Sequence, residues 1–310
     1  MQSMSTILKS KLAPSVAPNL LKRHRLVNVY SQVHTKKLTL VVAGAGYGKT
    51  TCVYQALEHM DMKTVWYSLD ADDLEFRTFF QYLIAGIRIL DPSFGEAILA
   101  RLQSCTSEIR YRNSFLTELA AEMEDRLHDP VVFVLDDFHL VQDSEMVAEC
   151  IEFLLLHMPV NVHIVVISRV LPYLRLSLYR ARREVIDISE RDLAFTLDEV
   201  KELSKALIPG ILSPDTIDAI HRRSGGWAAA LVLICDSARR GAWNEIEGVQ
   251  VLEEGSLELI YEYLEENVFE SQPEAIQEFM VKTSLMDWLE PNLCDAFMGI
   301  CDSRDILGHL

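Results

Sequence analysis

In Leu38-Thr-Leu-Val-Val-Ala-Gly-Ala-Gly-Tyr-Gly-Lys-Thr-Thr51 an apolar run gives way to a glycine-rich turn, then to a lysine and two hydroxyls. Residues of these types in this order can hold a row of phosphates. Three glycines let successive backbone N–H groups converge without a Cβ in the way, and a helix opening behind them adds its N-terminal dipole. Lys49 is placed to reach β- and γ-phosphates, and Thr50 to ligate Mg2+ through its hydroxyl. The expected nucleotide contacts are Gly44, Ala45, Gly46, Tyr47, Gly48, Lys49, Thr50 and Thr51, with Ala43 at the first position of the GxxxxGK[ST] pattern.

Val131-Val-Phe-Val-Leu-Asp-Asp137 supplies the carboxylates such a loop needs. Asp136 at the strand end is expected to hold Mg2+, and Asp137 to polarise the attacking water. An apolar run ending in two aspartates also serves as a plain strand exit, but its distance after the glycine loop favours the magnesium reading. With Lys49, these two aspartates form the expected catalytic set. In Ile164-Val-Val-Ile-Ser-Arg169, Ser168 and Arg169 can read the γ-phosphate, or simply form an exposed strand end. His139 can pack against a helix or touch phosphate, and Trp227 reads as a core anchor.

The elements that must carry these residues are legible as short apolar runs. Strands are predicted at Leu38–Ala43, Thr64–Leu69, Val131–Leu135, Val162–Ile167 and Val185–Ile188; most lack strict alternation, as strands buried on both faces do. Helices are predicted between them at Thr50–Met60, Leu74–Leu90, Ser114–His128 and Glu145–Met158, the last two ending at Pro130 and Pro159. Strands alternating with helices predict an α/β fold with a parallel sheet covered on both faces. After Ser189 the strand signal stops, and residues 196–310 read as short helices. The domain boundary is expected near residue 190.

Charge narrows the function classes. The net charge is −17, which disfavours a chain-wide nucleic-acid or anionic-membrane binder. Residues 1–60 hold eight Lys/Arg against Glu58 alone, whereas residues 241–310 hold sixteen acids against Lys282 and Arg304. The acidic stretch, including Glu253–Glu254 and Glu265–Glu266, reads as a solvated helix face or a surface for a basic partner. The six cysteines show no CxxC pair, as in the reduced thiols of a cytoplasmic protein. No apolar run approaches a membrane span. The basic N-terminus shares its lack of acids with transit peptides, but Pro14 and Pro18 break any long amphipathic helix there.

Taken together, Gly44–Thr51, Trp66-Tyr-Ser-Leu-Asp70 with Asp73, Leu135-Asp-Asp-Phe-His-Leu140, Ser168–Arg169, Asp192-Leu-Ala-Phe-Thr196 and Gly225-Gly-Trp-Ala-Ala-Ala-Leu231 resemble the signal-transduction ATPases with numerous domains (STAND). The branch is that of the bacterial maltose-regulon activator and the large ATP-binding regulators of the LuxR type. Residues 279–297 resemble that branch's winged helix. The resemblance implies a nucleotide-binding domain over 1–190, a helical linker over 191–248 and a winged-helix-like region over 249–310. By the same resemblance, Arg23 and Arg25 lie in the segment (within 1–37) that packs near the adenine. The sequence departs from the branch at Gly44, where proline is usual, and at Ala228 and Ala229, where proline and glycine are usual. The branch's superhelical sensor and C-terminal helix-turn-helix have no counterpart in these 310 residues, so DNA contact is expected only through a part not present here.

The expectation is therefore a nucleotide-controlled switch using ATP/ADP and Mg2+: ADP keeps a resting form, ATP drives self-association, and hydrolysis is slow. The alternative is an AAA-like ATPase that couples turnover to remodelling a protein or nucleic acid. A nucleic-acid motor needs a basic channel with aromatics, which the acidic remainder of the chain does not provide.

Overall fold

The computed structural model describes residues 7–16, 21–30, 32–105, 108–208, 212–239, 243–246, 249–252, 255–270, 272–286 and 288–309. Pro18 and Glu253–Glu254 lie outside them. The chain divides into two compact units between Ala194 and Phe195.

The first unit is built on five parallel strands, β1 (Leu38–Val42), β2 (Lys63–Ser68), β3 (Val131–Asp136), β4 (Val162–Ser168) and β5 (Val185–Ile188), in the order β2-β3-β4-β1-β5. Helices α1 (His24–Tyr30), α2 (Lys49–His59), α3 (Phe76–Ile87), α4 (Glu96–Ser104), α5 (Glu108–Arg126), α6 (Glu145–His157), α7 (Ser177–Ala181) and α8 (Glu190–Leu193) complete it. Successive strand residues feed opposite cores, because the side-chain period of a strand is two. Leu38, Leu40, Val65, Tyr67, Phe133, Leu135, Ile164 and Val166 pack with α3–α6 on one face. Val41, Trp66, Val132, Val134, Val165 and Ile167 pack with α1, α2 and Leu193 on the other. Both faces being covered, the strands need no polar side, and for that reason the sequence lacked alternation.

Three differences from the sequence reading have local causes. Helix α5 starts at Glu108, so Ser114 lies inside it rather than at its cap. Helix α4 was not foreseen; it is nine residues long and opens after Gly95, whose φ of 68° is the left-handed conformation glycine adopts without cost. Strands β6 (Trp243–Ile246) and β7 (Val249–Leu252) form an antiparallel hairpin in a region read as helical, two short runs separated by only two residues.

That hairpin belongs to the second unit, which otherwise consists of α9 (Leu197–Leu207), α10 (Pro214–Ser224), α11 (Ala228–Arg239), α12 (Gly255–Leu264), α13 (Glu274–Thr283), α14 (Pro291–Met298) and α15 (Ser303–His309). Thr196 caps α9 in a reciprocal box with Glu199, and Ser213 caps α10 ahead of Pro214. Trp227 is half-buried and stands edge-on to Tyr263 at 5.6 Å. Glu265 and Glu266 are exposed.

Candidate nucleotide site

Parallel pairing brings the C-terminal ends of β1, β3, β4 and β5 together, and the candidate residues sit at those ends. The loop after β1 turns through Gly46 and Gly48, both at φ 74°, a conformation that a side chain would strain. Gly48 is also the N-cap of α2, so the loop amides stand at a helix N-terminus. Thr51 is half-buried in the first turn of α2.

Thr50 and Asp136, 86 residues apart in sequence, meet directly: Thr50 Oγ1 donates to Asp136 Oδ2 at 3.0 Å and Oδ1 at 3.2 Å. Asp136 Oδ1 also accepts from the Asp137 amide at 3.0 Å. A buried carboxylate beside a hydroxyl is an oxygen donor pair suited to a hard cation, and it fits Mg2+. Burial, then the neighbouring charge of Asp137, pushes the Asp136 pKa up to about 6 against its hydrogen bonds. Asp137 itself adopts φ 55°, a left-handed turn that aspartate tolerates and that swings the chain off β3.

Lys49 Nζ donates to the Gly44 carbonyl at 2.8 Å. Burial and the charge of Arg169 lower its pKa to about 8, against the attraction of Asp137, Asp136 and Glu190. Arg169 thus stands within electrostatic reach of the loop lysine. Ser168 is buried, and its hydroxyl accepts from the Val170 amide at 3.3 Å, so it shapes the exit of β4. Its carbonyl accepts from Ala43 N–H at 3.3 Å, tying β4 to the root of the glycine loop. His139 belongs to the same cluster: burial, with Arg169 and Lys49, brings its pKa down to about 4, and its Nδ1 is buried with no hydrogen-bond partner.

Arg23 and Arg25 bind backbone carbonyls at the end of the first unit. The Arg23 guanidinium donates to the Leu193 carbonyl at 2.6 Å and to that of Ala194 at 3.0 Å, and Arg25 donates to Ala194 at 3.0 Å. Arg23 Nη1 also lies 3.9 Å from Cys52 Sγ on α2. Both arginines therefore secure the last residues of the first unit. One residue went unnoticed in the sequence: Glu190, whose Oε1 accepts from the Gly44 amide at 2.9 Å. No local pattern marks it, and only the pairing of β5 with β1 carries it to the loop.

The resemblance to solved structures lies in the fold. The STAND protein with a tetratricopeptide repeat sensor from Pyrococcus horikoshii matches with a TM-score of 0.55 and 16% identity, over 98% of this chain and 41% of that one. A Walker-type ATPase of Pyrococcus abyssi matches with a TM-score of 0.54 and 13% identity, over 91% and 84%. Both likenesses are of fold: a glycine loop at the end of a strand in a parallel sheet, the architecture of the P-loop NTPases. Residues 264–310 match the MalT winged helix domain. The HTH-type transcriptional regulator MalT of Serratia proteamaculans is 29% identical over 282 residues, 90% of this chain but only 30% of the relative. The chain thus resembles part of a MalT-type regulator that includes the winged helix, and spans under a third of that relative's length. Among the described residues, no helix is long and apolar enough to cross a membrane.

Proposed function

We propose that the chain is the nucleotide-binding module of a MalT-type regulator, a switch that rests with ADP and self-associates with ATP and Mg2+, hydrolysing ATP slowly. The observation that supports the reading is the meeting of Thr50 and Asp136 beside Lys49 at the mouth of a glycine loop. In this reading the amides of residues 44–51 and Lys49 bind the phosphates, and Thr50 and Asp136 hold Mg2+. When bound, the cation neutralises phosphate charge during transfer to water. Asp137 orients the attacking water and accepts its proton, while Arg169, next after Ser168 at the exit of β4, meets the terminal phosphate. Arg23 and Arg25 fix the segment nearest the adenine by way of the 193–194 carbonyls. Contact with DNA belongs to a helix-turn-helix outside these residues.

The test pairs two variants. Lys49→Ala should abolish ATP and ADP binding by calorimetry with the fold intact. Asp137→Asn should bind Mg2+–ATP normally but hydrolyse it roughly 10²–10⁴-fold more slowly in a single turnover, and light scattering should show it self-associating in ATP. Unchanged nucleotide affinity in Lys49→Ala sinks the site. Unchanged hydrolysis in Asp137→Asn removes that residue from the chemistry.

A further inference from the structure

The glycine loop already holds an anion of the chain's own. Both backbone groups of Gly44 are engaged, its carbonyl by Lys49 Nζ at 2.8 Å and its amide by Glu190 Oε1 at 2.9 Å. A Cβ at position 44 would lie 3.3 Å from that carboxylate oxygen, tighter than ordinary contact, so the glycine admits the approach. The carboxylate's charge acts on Lys49 and also on Tyr47 of the loop.

The carboxylate is carried on a braced element. Glu190 opens α8 behind a reciprocal cap in which Asp192 Oδ2 accepts from the Ser189 amide at 2.8 Å. At the far end of α8, Arg23 holds the Leu193 carbonyl at 2.6 Å. A glutamate on a free loop would swing away from arriving phosphates at little cost. One whose helix is fixed at both ends keeps its charge near the loop.

We propose that Glu190 sets the nucleotide affinity of the loop: it occupies the Gly44 amide in the nucleotide-free chain and opposes polyphosphate binding by charge, more strongly for the more highly charged ligand. This deepens the reading of the loop as a nucleotide site and rests on it. Glu190 is solvent-exposed, so screening keeps the effect modest. Its removal should tighten binding by about tenfold for ATP and by less for ADP.

The experiment measures Kd by calorimetry without Mg2+, for ATP, ADP and adenosine, at low salt and in 0.5 M NaCl. It compares the parent protein, Glu190→Gln, which keeps an acceptor for the Gly44 amide but loses the charge, and Glu190→Lys. At low salt both variants should tighten ATP most, ADP less and adenosine not at all, the lysine more than the glutamine, and the gains should shrink in 0.5 M NaCl. Equal or weaker ATP affinity in both variants, with the parent still binding, overturns the role of Glu190 alone. A gain that ignores ligand charge and salt does the same, since it is then a shape effect. Absence of ATP and ADP binding in the parent as well overturns the nucleotide-site reading and this inference with it.

Discussion

Asp136→Asn should stabilise the nucleotide-free protein while weakening its hold on Mg2+. Folding raises the Asp136 pKa from 3.8 to about 6, so between those values the folded chain keeps a proton that the unfolded chain releases. Stability from this group therefore falls as pH rises through that window and is lowest above pH 6, by ~3 kcal/mol at most. Asparagine keeps an oxygen acceptor for the Asp137 amide and presents an NH₂ to the Thr50 hydroxyl, but carries no charge. The rise to about 6 is already net of the attraction to Lys49; setting an amide NH₂ where a carboxylate oxygen accepted hydrogen bonds costs about 1–2 kcal/mol, which leaves a net gain of ~1–2 kcal/mol at pH 7.5. For a unit of this size that is a rise in Tm of roughly 2–8 °C. Thermal unfolding in EDTA, without nucleotide, at pH 7.5 and pH 5 checks it. The gain should be present at pH 7.5 and nearly gone at pH 5, where the parent's carboxylate is itself protonated. Adding Mg2+ and ATP should reverse the order. A variant no more stable than the parent at pH 7.5, or a gain equal at both pH values, refutes the burial argument.

Two further outcomes follow from the same geometry. Lys11→Met leaves Asp73, which is fully buried and accepts from Lys11 Nζ at 2.6 Å, without its cation, and also removes the ammonium from 4.5 Å above the Tyr82 ring. A cost of about 3 kcal/mol and a fall of roughly 6–12 °C in Tm are expected, with Lys11→Met/Asp73→Asn recovering much of it; a single variant melting like the parent refutes the pairing. The lowered Lys49 pKa, about 8, sets an alkaline limit on binding: below it the ammonium is present, and above it binding must also recover a proton. Affinity for ADP should fall up to roughly tenfold per pH unit above pH 8, Lys49→Arg should flatten the profile, and a flat parental profile to pH 9.5 counts against the lysine.

What the sequence made legible was what is local or strongly patterned. The glycine loop, the apolar run to Asp136 and the five strands are each encoded within a few residues, and their hydrophobicity leaves little choice of structure. Strand order and register are not local, so nothing at Glu190 itself marks it as a neighbour of Gly44. The hairpin at 243–252 was hidden for a related reason: four-residue runs carry too little pattern to overrule the helices on either side. Arg23 shows a third kind of limit. A resemblance can say which segment a residue belongs to, while its hydrogen bonds to the 193–194 carbonyls appear only in three dimensions.

The strand order also sets a timetable for synthesis. β1 carries the glycine loop, yet both its partners come late in the chain: Leu38 pairs with Ile164 and Val185. At translation rates of about 5–20 residues per second, roughly 6–25 s separate the making of β1 from that of its first partner. Through that interval the four apolar residues of an unpaired five-residue strand wait, and such non-local parallel pairing forms slowly once it can begin. The nascent chain thus has its phosphate-binding loop written early but unable to close, and it is in this period that Leu38–Val42 most needs shielding by a holding chaperone.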